Sequence, residues 1–160
     1  MMHSCISRVA LATLMVILWG NLASAQAADP LVGTWKLNVA KSTYSPGPPQ
    51  KSGTVKFEAA GEGVKLTADI QDADGSATHT EYTGNYDGKD NPITGSATAD
   101  TVSLKRIDAN TTERTDKKGG KVVATFTRKV SSDGKTLTVT HKGTNAEGKP
   151  INNLLVLEKQ

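Results

Sequence analysis

The chain is expected to fold as an all-β protein, an antiparallel meander β-barrel of eight to ten strands. Three observations predict this. Nearly every segment beyond residue 30 alternates apolar and polar side chains with period two. The segments end in Asp-Gly, Gly-Gly or similar turn pairs, whose residues tolerate positive φ. No stretch carries a helical period. An open meander of this many strands leaves two unpaired edges, and closing it removes them. A two-sheet sandwich is the alternative, but it needs long Greek-key crossovers, and long connections are scarce here.

The elements follow in order. Leu31–Asn38 places Leu31, Gly33, Trp35 and Leu37 on one face, with Thr34, Lys36 and Asn38 on the other. Residues 39–50 are the longest irregular piece. Pro46, Pro48 and Pro49 argue against regular structure there, so a mobile, exposed flap or partial lid is expected. Thr54–Ala59 pairs Val55 with Phe57 on one face, and Gly61-Glu62-Gly63 turns the chain. Val64, Leu66, Ala68 and Ile70 form the next apolar face, ending at the turn Asp72-Ala73-Asp74-Gly75. Thr78–Tyr86 reads as a polar strand, and 87–92 as a loop. Thr101–Ile107 sets Val102, Leu104 and Arg106 on one face. Thr111–Lys117 is polar on both faces. Lys121–Val130 shares Val122, Ala124, Phe126 and Arg128 on one side. Thr136–His141 and Ile151–Lys159 complete the meander.

Residues 1–27 read as a secretory signal peptide, with 28–160 a single barrel domain. Arg8 supplies the positive start, Val9–Trp19 the apolar run, and Ala25-Gln26-Ala27 the small-x-small cleavage pattern. Cleavage after Ala25 is a near alternative. The run is shorter than the roughly 20 residues of a membrane span, so no stable membrane anchor is expected. The protein is therefore expected to be exported, to a periplasm or the extracellular space. The single cysteine, Cys5, would leave with the signal, so the exported domain must close its core without a disulfide. Its charge is uneven: residues 28–100 carry 6 basic and 10 acidic side chains, residues 101–160 carry 12 and 6. Such polarity either orients an anionic ligand or an acidic surface, or is a solvated exterior.

The segment Leu31-Val32-Gly33-Thr34-Trp35-Lys36-Leu37 resembles the opening of the calycins, the lipocalins and fatty-acid-binding proteins, and Val156-Leu157-Glu158-Lys159 resembles their closing strand. Among these the chain is most similar to the bacterial exported lipocalin-like proteins. The resemblance implies a calycin-like barrel with Gly33 and Trp35 as structural residues, and a ligand held inside. One departure bears on that ligand. Where fatty-acid-binding proteins carry Arg-x-Tyr on the last strand, this chain reads Leu155-Val156-Leu157. Their bidentate clamp on a carboxylate is missing.

Catalytic chemistry finds little support, and no enzymatic activity is expected. His79 reads as an exposed strand residue and His141 as a rim residue, and no Gly-x-Ser-x-Gly elbow accompanies them. Two histidines without cysteine make poor zinc ligands, so no metal or other cofactor is expected. Asp72-Ala73-Asp74-Gly75 starts like a calcium loop, but its glycine comes too early. Lys117, Lys118 and Lys121 cluster at a hairpin tip without the aromatic platforms of single-strand binding, so no nucleic-acid partner is expected.

The expected function is non-catalytic binding of a small, partly apolar ligand within the barrel. Arg106 and Arg128 lie on apolar faces, where an anionic group would relieve their desolvation unless they reach solvent at the strand ends. Tyr82, Tyr86, Phe57 and Phe126 are the candidate walls. The alternative is a filled barrel acting as an interaction protein, such as a periplasmic protease inhibitor. A cavity lined by Val55, Phe57, Leu66, Leu104 and Phe126 would favour the first reading.

Overall fold

A computed structural model describes residues 28–145 and 148–160. The expected signal segment, residues 1–27, lies outside the described residues. Ten antiparallel strands form a closed barrel: β1 Gly33–Leu37, β2 Ser52–Ala60, β3 Gly63–Gln71, β4 Ala77–Asn85, β5 Asp87–Thr94, β6 Thr101–Arg106, β7 Thr111–Lys118, β8 Lys121–Val130, β9 Thr136–Thr144 and β10 Pro150–Lys159. Each strand pairs with its sequence neighbours, and β1 closes onto β10 through Trp35↔Lys159 and Leu37↔Leu157. The only helical turn among the described residues is the 3-10 turn Val39–Lys41. No helix among them is long and apolar enough to cross a membrane.

Period-two alternation places the core as the sequence implies. Trp35, Phe57, Val64, Leu66, Tyr82, Val102, Leu104, Leu137 and Leu157 are all buried. Because strands alternate in direction, the β2–β3, β4–β5, β6–β7 and β8–β9 hairpins gather at one end, the base. The β3–β4, β5–β6, β7–β8 and β9–β10 connections gather at the other, the mouth. Trp35 is wholly buried, and its Nε1 donates to the Leu31 carbonyl at 2.8 Å, folding the leader under the barrel. Gly33 explains the Gly-x-Trp pattern physically. Its φ is +141°, and a Cβ there would meet Lys159 Cε at 2.7 Å. The Lys159 stem crosses that space to lay its ammonium 5.1 Å from the Trp35 ring.

Two segments differ from expectation. Residues 87–94 are not a loop but strand β5, paired with β6 through Asp90↔Ser103, Asn91↔Val102 and Pro92↔Thr101. Pro92 is tolerated because β5 meets β4 only at Glu81↔Thr94 and Tyr82↔Ile93, so no ladder bond to β4 is sacrificed. The register shift between Asp87 and Asp90 disguises the alternation. The first part of 39–50 is tethered rather than free. Thr43 bridges Leu154, the Asn152 amide donates to the Ser45 carbonyl at 2.8 Å, and the Ser45 amide donates to Asn153 Oδ1 at 2.9 Å. The prolines all follow this extended stretch, so they do not interrupt it.

Candidate functional site

The barrel holds a cavity of about 440 Å³ that runs from the mouth inwards to Arg128, Leu137 and Leu157. One wall is apolar: Val55 and Phe57 on β2, Leu66, Ala68 and Ile70 on β3, and Leu155 and Leu157 on β10. The opposite wall comes from β7, β8 and β9 and carries Arg114, Phe126, Arg128 and His141. Tyr44, Pro48 and Gln50, from residues 39–50, also line the cavity. Of the five residues expected around a cavity, Val55, Phe57, Leu66 and Phe126 line it, whereas Leu104 is packed in the core.

Arg128 is 4% exposed, deep on β8. Its guanidinium lies 5.2 Å from the Phe57 ring centroid and 6.0 Å from that of Tyr82. Nη1 is buried without a hydrogen bond, and no carboxylate among the described residues reaches ion-pair distance. Two further buried polar atoms lack partners near it. Thr112, directly across the β7–β8 ladder from Arg128, has an unsatisfied Oγ1, and so does Tyr82 at its hydroxyl. Arg128 lines the cavity while Thr112 and Tyr82 lie behind it, and a desolvated cation there is costly unless something acidic or strongly polar enters.

Arg114, which the sequence reading passed over, is the other buried cation. Nε and Nη2 donate to Asp116 Oδ1 and Oδ2, each at 2.5 Å, inside the barrel. The signal was present in Thr112, Arg114 and Asp116, which alternate on one face at spacing two. A strand polar on both sides hid it. The same guanidinium lies 4.2 Å from the Phe126 centroid, and Phe126 stacks on His141 with centroids 4.0 Å apart and planes 12° from parallel. Arg114, Phe126 and His141 occupy facing positions across β7, β8 and β9, so the stack runs across three strands.

His141 is therefore not a rim residue. It lies inside, and desolvation, aided by the positive Arg114, pulls its pKa down to about 4 despite the opposing Asp116 carboxylate. Its ring nitrogens make no hydrogen bond among the described residues. His79, as expected, stays outside on β4, its Nδ1 2.6 Å from Asp69 Oδ1, and that bond raises its pKa.

Arg106 and Arg128, both candidates for holding an anion, line different hollows of the barrel. Arg106 ends β6 at the base, its side chain 33% exposed, with Nη2 donating to Asp29 Oδ2 at 2.5 Å. Its guanidinium covers the Tyr86 ring at 4.2 Å, and the Tyr86 hydroxyl donates to the same Asp29 oxygen at 2.8 Å. Burial and the Asp29 carboxylate push that phenol well above its ordinary value. Arg106 and Tyr86 thus line a separate crevice of about 700 Å³ around Asp29 and Glu62 at the base. Tyr82 is buried behind the cavity beside Arg114 and Arg128. Among the described residues no group of three or more His, Cys, Asp or Glu side chains is placed to hold a metal ion.

Fold and site together define a closed ten-stranded meander barrel with a half-polar internal cavity. No protein-family model and no curated protein matches the chain.

Proposed function

We propose that this is an exported, non-catalytic, calycin-like binding protein that holds a small, partly apolar ligand with an anionic group inside its barrel. The observation that carries the reading is Arg128, a buried guanidinium without a carboxylate among the described residues, lining a cavity whose far wall is apolar. The anionic group pairs with Arg128, and the apolar body lies against β2, β3 and β10. Hydrogen bonds to an ionised partner are shorter and stronger than neutral ones, and a dry site magnifies them. The cavity weighs against a filled barrel that acts only through its outer surface. The basic half of the chain would favour approach of an anion.

Calorimetric titration with octanoate and its methyl ester tests this. The acid is expected to bind about tenfold tighter than the ester, the equivalent of roughly 1.4 kcal/mol. Arg128→Met is expected to erase the difference, and Arg106→Leu to leave it intact. Equal affinity for acid and ester would reject the reading.

A further inference from the structure

We infer that His141 is a second recognition point in the cavity, selecting short acids that carry a hydrogen-bonding group over plain alkyl acids. The inference rests on the reading of Arg128 as the anion site. Arg128 faces Val139 across the β8–β9 ladder, and His141 follows two residues on, towards the mouth. Two residues of strand advance the chain by roughly 7 Å and return the side chain to the same face. The two groups thus stand one inward step apart on the same side of the barrel.

The imidazole is held in place before any ligand arrives. Phe126 backs it face to face, and the Arg114–Asp116 pair backs Phe126. Its nitrogens are free of protein partners among the described residues, and its depressed pKa keeps it neutral, so it offers one donor and one acceptor. Gln50, Thr78 and Asn153 also line the cavity, but Gln50 and Thr78 donate to Asp72 and Asn153 accepts from the Ser45 amide, whereas the imidazole nitrogens have no partner among the described residues. An alkyl tail running out from Arg128 would cover the imidazole nitrogens without satisfying them, which is unfavourable. A hydroxyl, carbonyl or ring nitrogen at that height would bond to them instead. At about 440 Å³ the cavity also lies towards the small end of the ligand-site range, roughly 300–1,000 Å³.

Three probes decide it: cinnamate, para-hydroxycinnamate and the methyl ester of the latter, titrated into wild type and His141→Phe. Phenylalanine keeps the stack on Phe126 and removes both nitrogens. In wild type the hydroxy acid is expected to bind about fivefold tighter than cinnamate, the gain of one net hydrogen bond. In His141→Phe the two acids are expected to bind alike. The imidazole nitrogen resonances of wild type are expected to shift on saturation with the hydroxy acid, a readout that does not depend on the variant folding. Equal binding of the two acids to wild type, a gain that survives in His141→Phe, or unmoved imidazole resonances would each overturn the inference while leaving Arg128 as the anion site. An ester that binds as well as its acid would overturn the Arg128 reading, and the inference with it.

Discussion

Arg114 and Arg128 stand on neighbouring strands inside one barrel and meet opposite electrostatic fates. Arg114 is held bidentately by Asp116, while Arg128 has only the faces of Phe57 and Tyr82. A buried cation without a counter-charge costs the folded state more than a well-packed apolar side chain of similar size. Arg128→Met is therefore expected to stabilise the ligand-free protein by about 1–2 kcal/mol, read from the urea midpoint. An unchanged or lowered midpoint would mean the guanidinium is already compensated. The two histidines separate in the same way. His79 is expected to titrate above its ordinary 6.5 because its hydrogen bond to Asp69 favours the imidazolium, and His141 near 4 because burial and Arg114 disfavour it. The unfolded chain protonates the His141 position at its ordinary value, so it binds more protons than the folded chain between pH 6.5 and 4. Stability from His141 is thus complete above that window and falls as pH drops through it, by up to about 3 kcal/mol. Proton NMR titration of both imidazoles, beside urea midpoints across the window, checks direction and site.

Among the elements, the leader and the tethered segment use side chains to do what strands do by backbone pairing. Asp29 gathers three donors, the Leu31 amide, the Tyr86 hydroxyl and Arg106 Nη2, and so straps residues 28–32 across the base beneath Trp35. Asp29→Ala is expected to destabilise the protein by about 2–3 kcal/mol, because it orphans the Tyr86 hydroxyl and frees a cation over its ring. Thermal unfolding measures this, and a loss under about 0.5 kcal/mol would show the strap to be peripheral. At the other end, Ser42 Oγ donates to the Asn38 carbonyl and accepts from the Val156 amide, so the segment enters its path along β10 already anchored. Neither arrangement is legible in the sequence. Asp29 lies 57 residues from Tyr86 and 77 from Arg106, and only the closed barrel brings them together. Strand β5 escaped for a different reason. Its register shift, and a proline where β4 hardly pairs with it, erase the two cues by which a strand is read.

In the whole molecule a cavity runs in from the mouth and a separate crevice lies at the base. Trp35, Val64, Val102 and Leu104 are fully buried, whereas the cavity holds Arg128 Nη1 and the His141 nitrogens without hydrogen-bond partners among the described residues. An anion that enters the cavity binds the folded state alone, so at a free concentration of about one hundred times its Kd it is expected to raise stability by about 2.7 kcal/mol. Denaturant titration with and without octanoate checks this. The increment should fall to about 1.4 kcal/mol in Arg128→Met, whose affinity for the acid drops about tenfold to that of the ester, and persist in Arg106→Leu. An increment indifferent to Arg128 would move the ligand elsewhere.

The architecture is legible in the sequence: period-two alternation and turn pairs at short intervals are enough to imply a closed meander, and the Gly33-x-Trp35 pattern marks Gly33 and Trp35 as structural residues. Those cues are local, since side-chain alternation and turn chemistry act over two to four residues and report directly on strand and hairpin. They also brought Phe57, Phe126 and Arg128 to the inner face. Only the tertiary structure decided which inward residues meet. Arg106 and Arg128 carry the same signal, an arginine following apolar residues on one face, yet strand direction sends one to the base and the other to the cavity. Arg114 found Asp116, and His141 found Phe126, through registers that closure imposes across β7, β8 and β9. Pairing across a sheet depends on the summed stagger of every preceding strand, and no single segment encodes that sum.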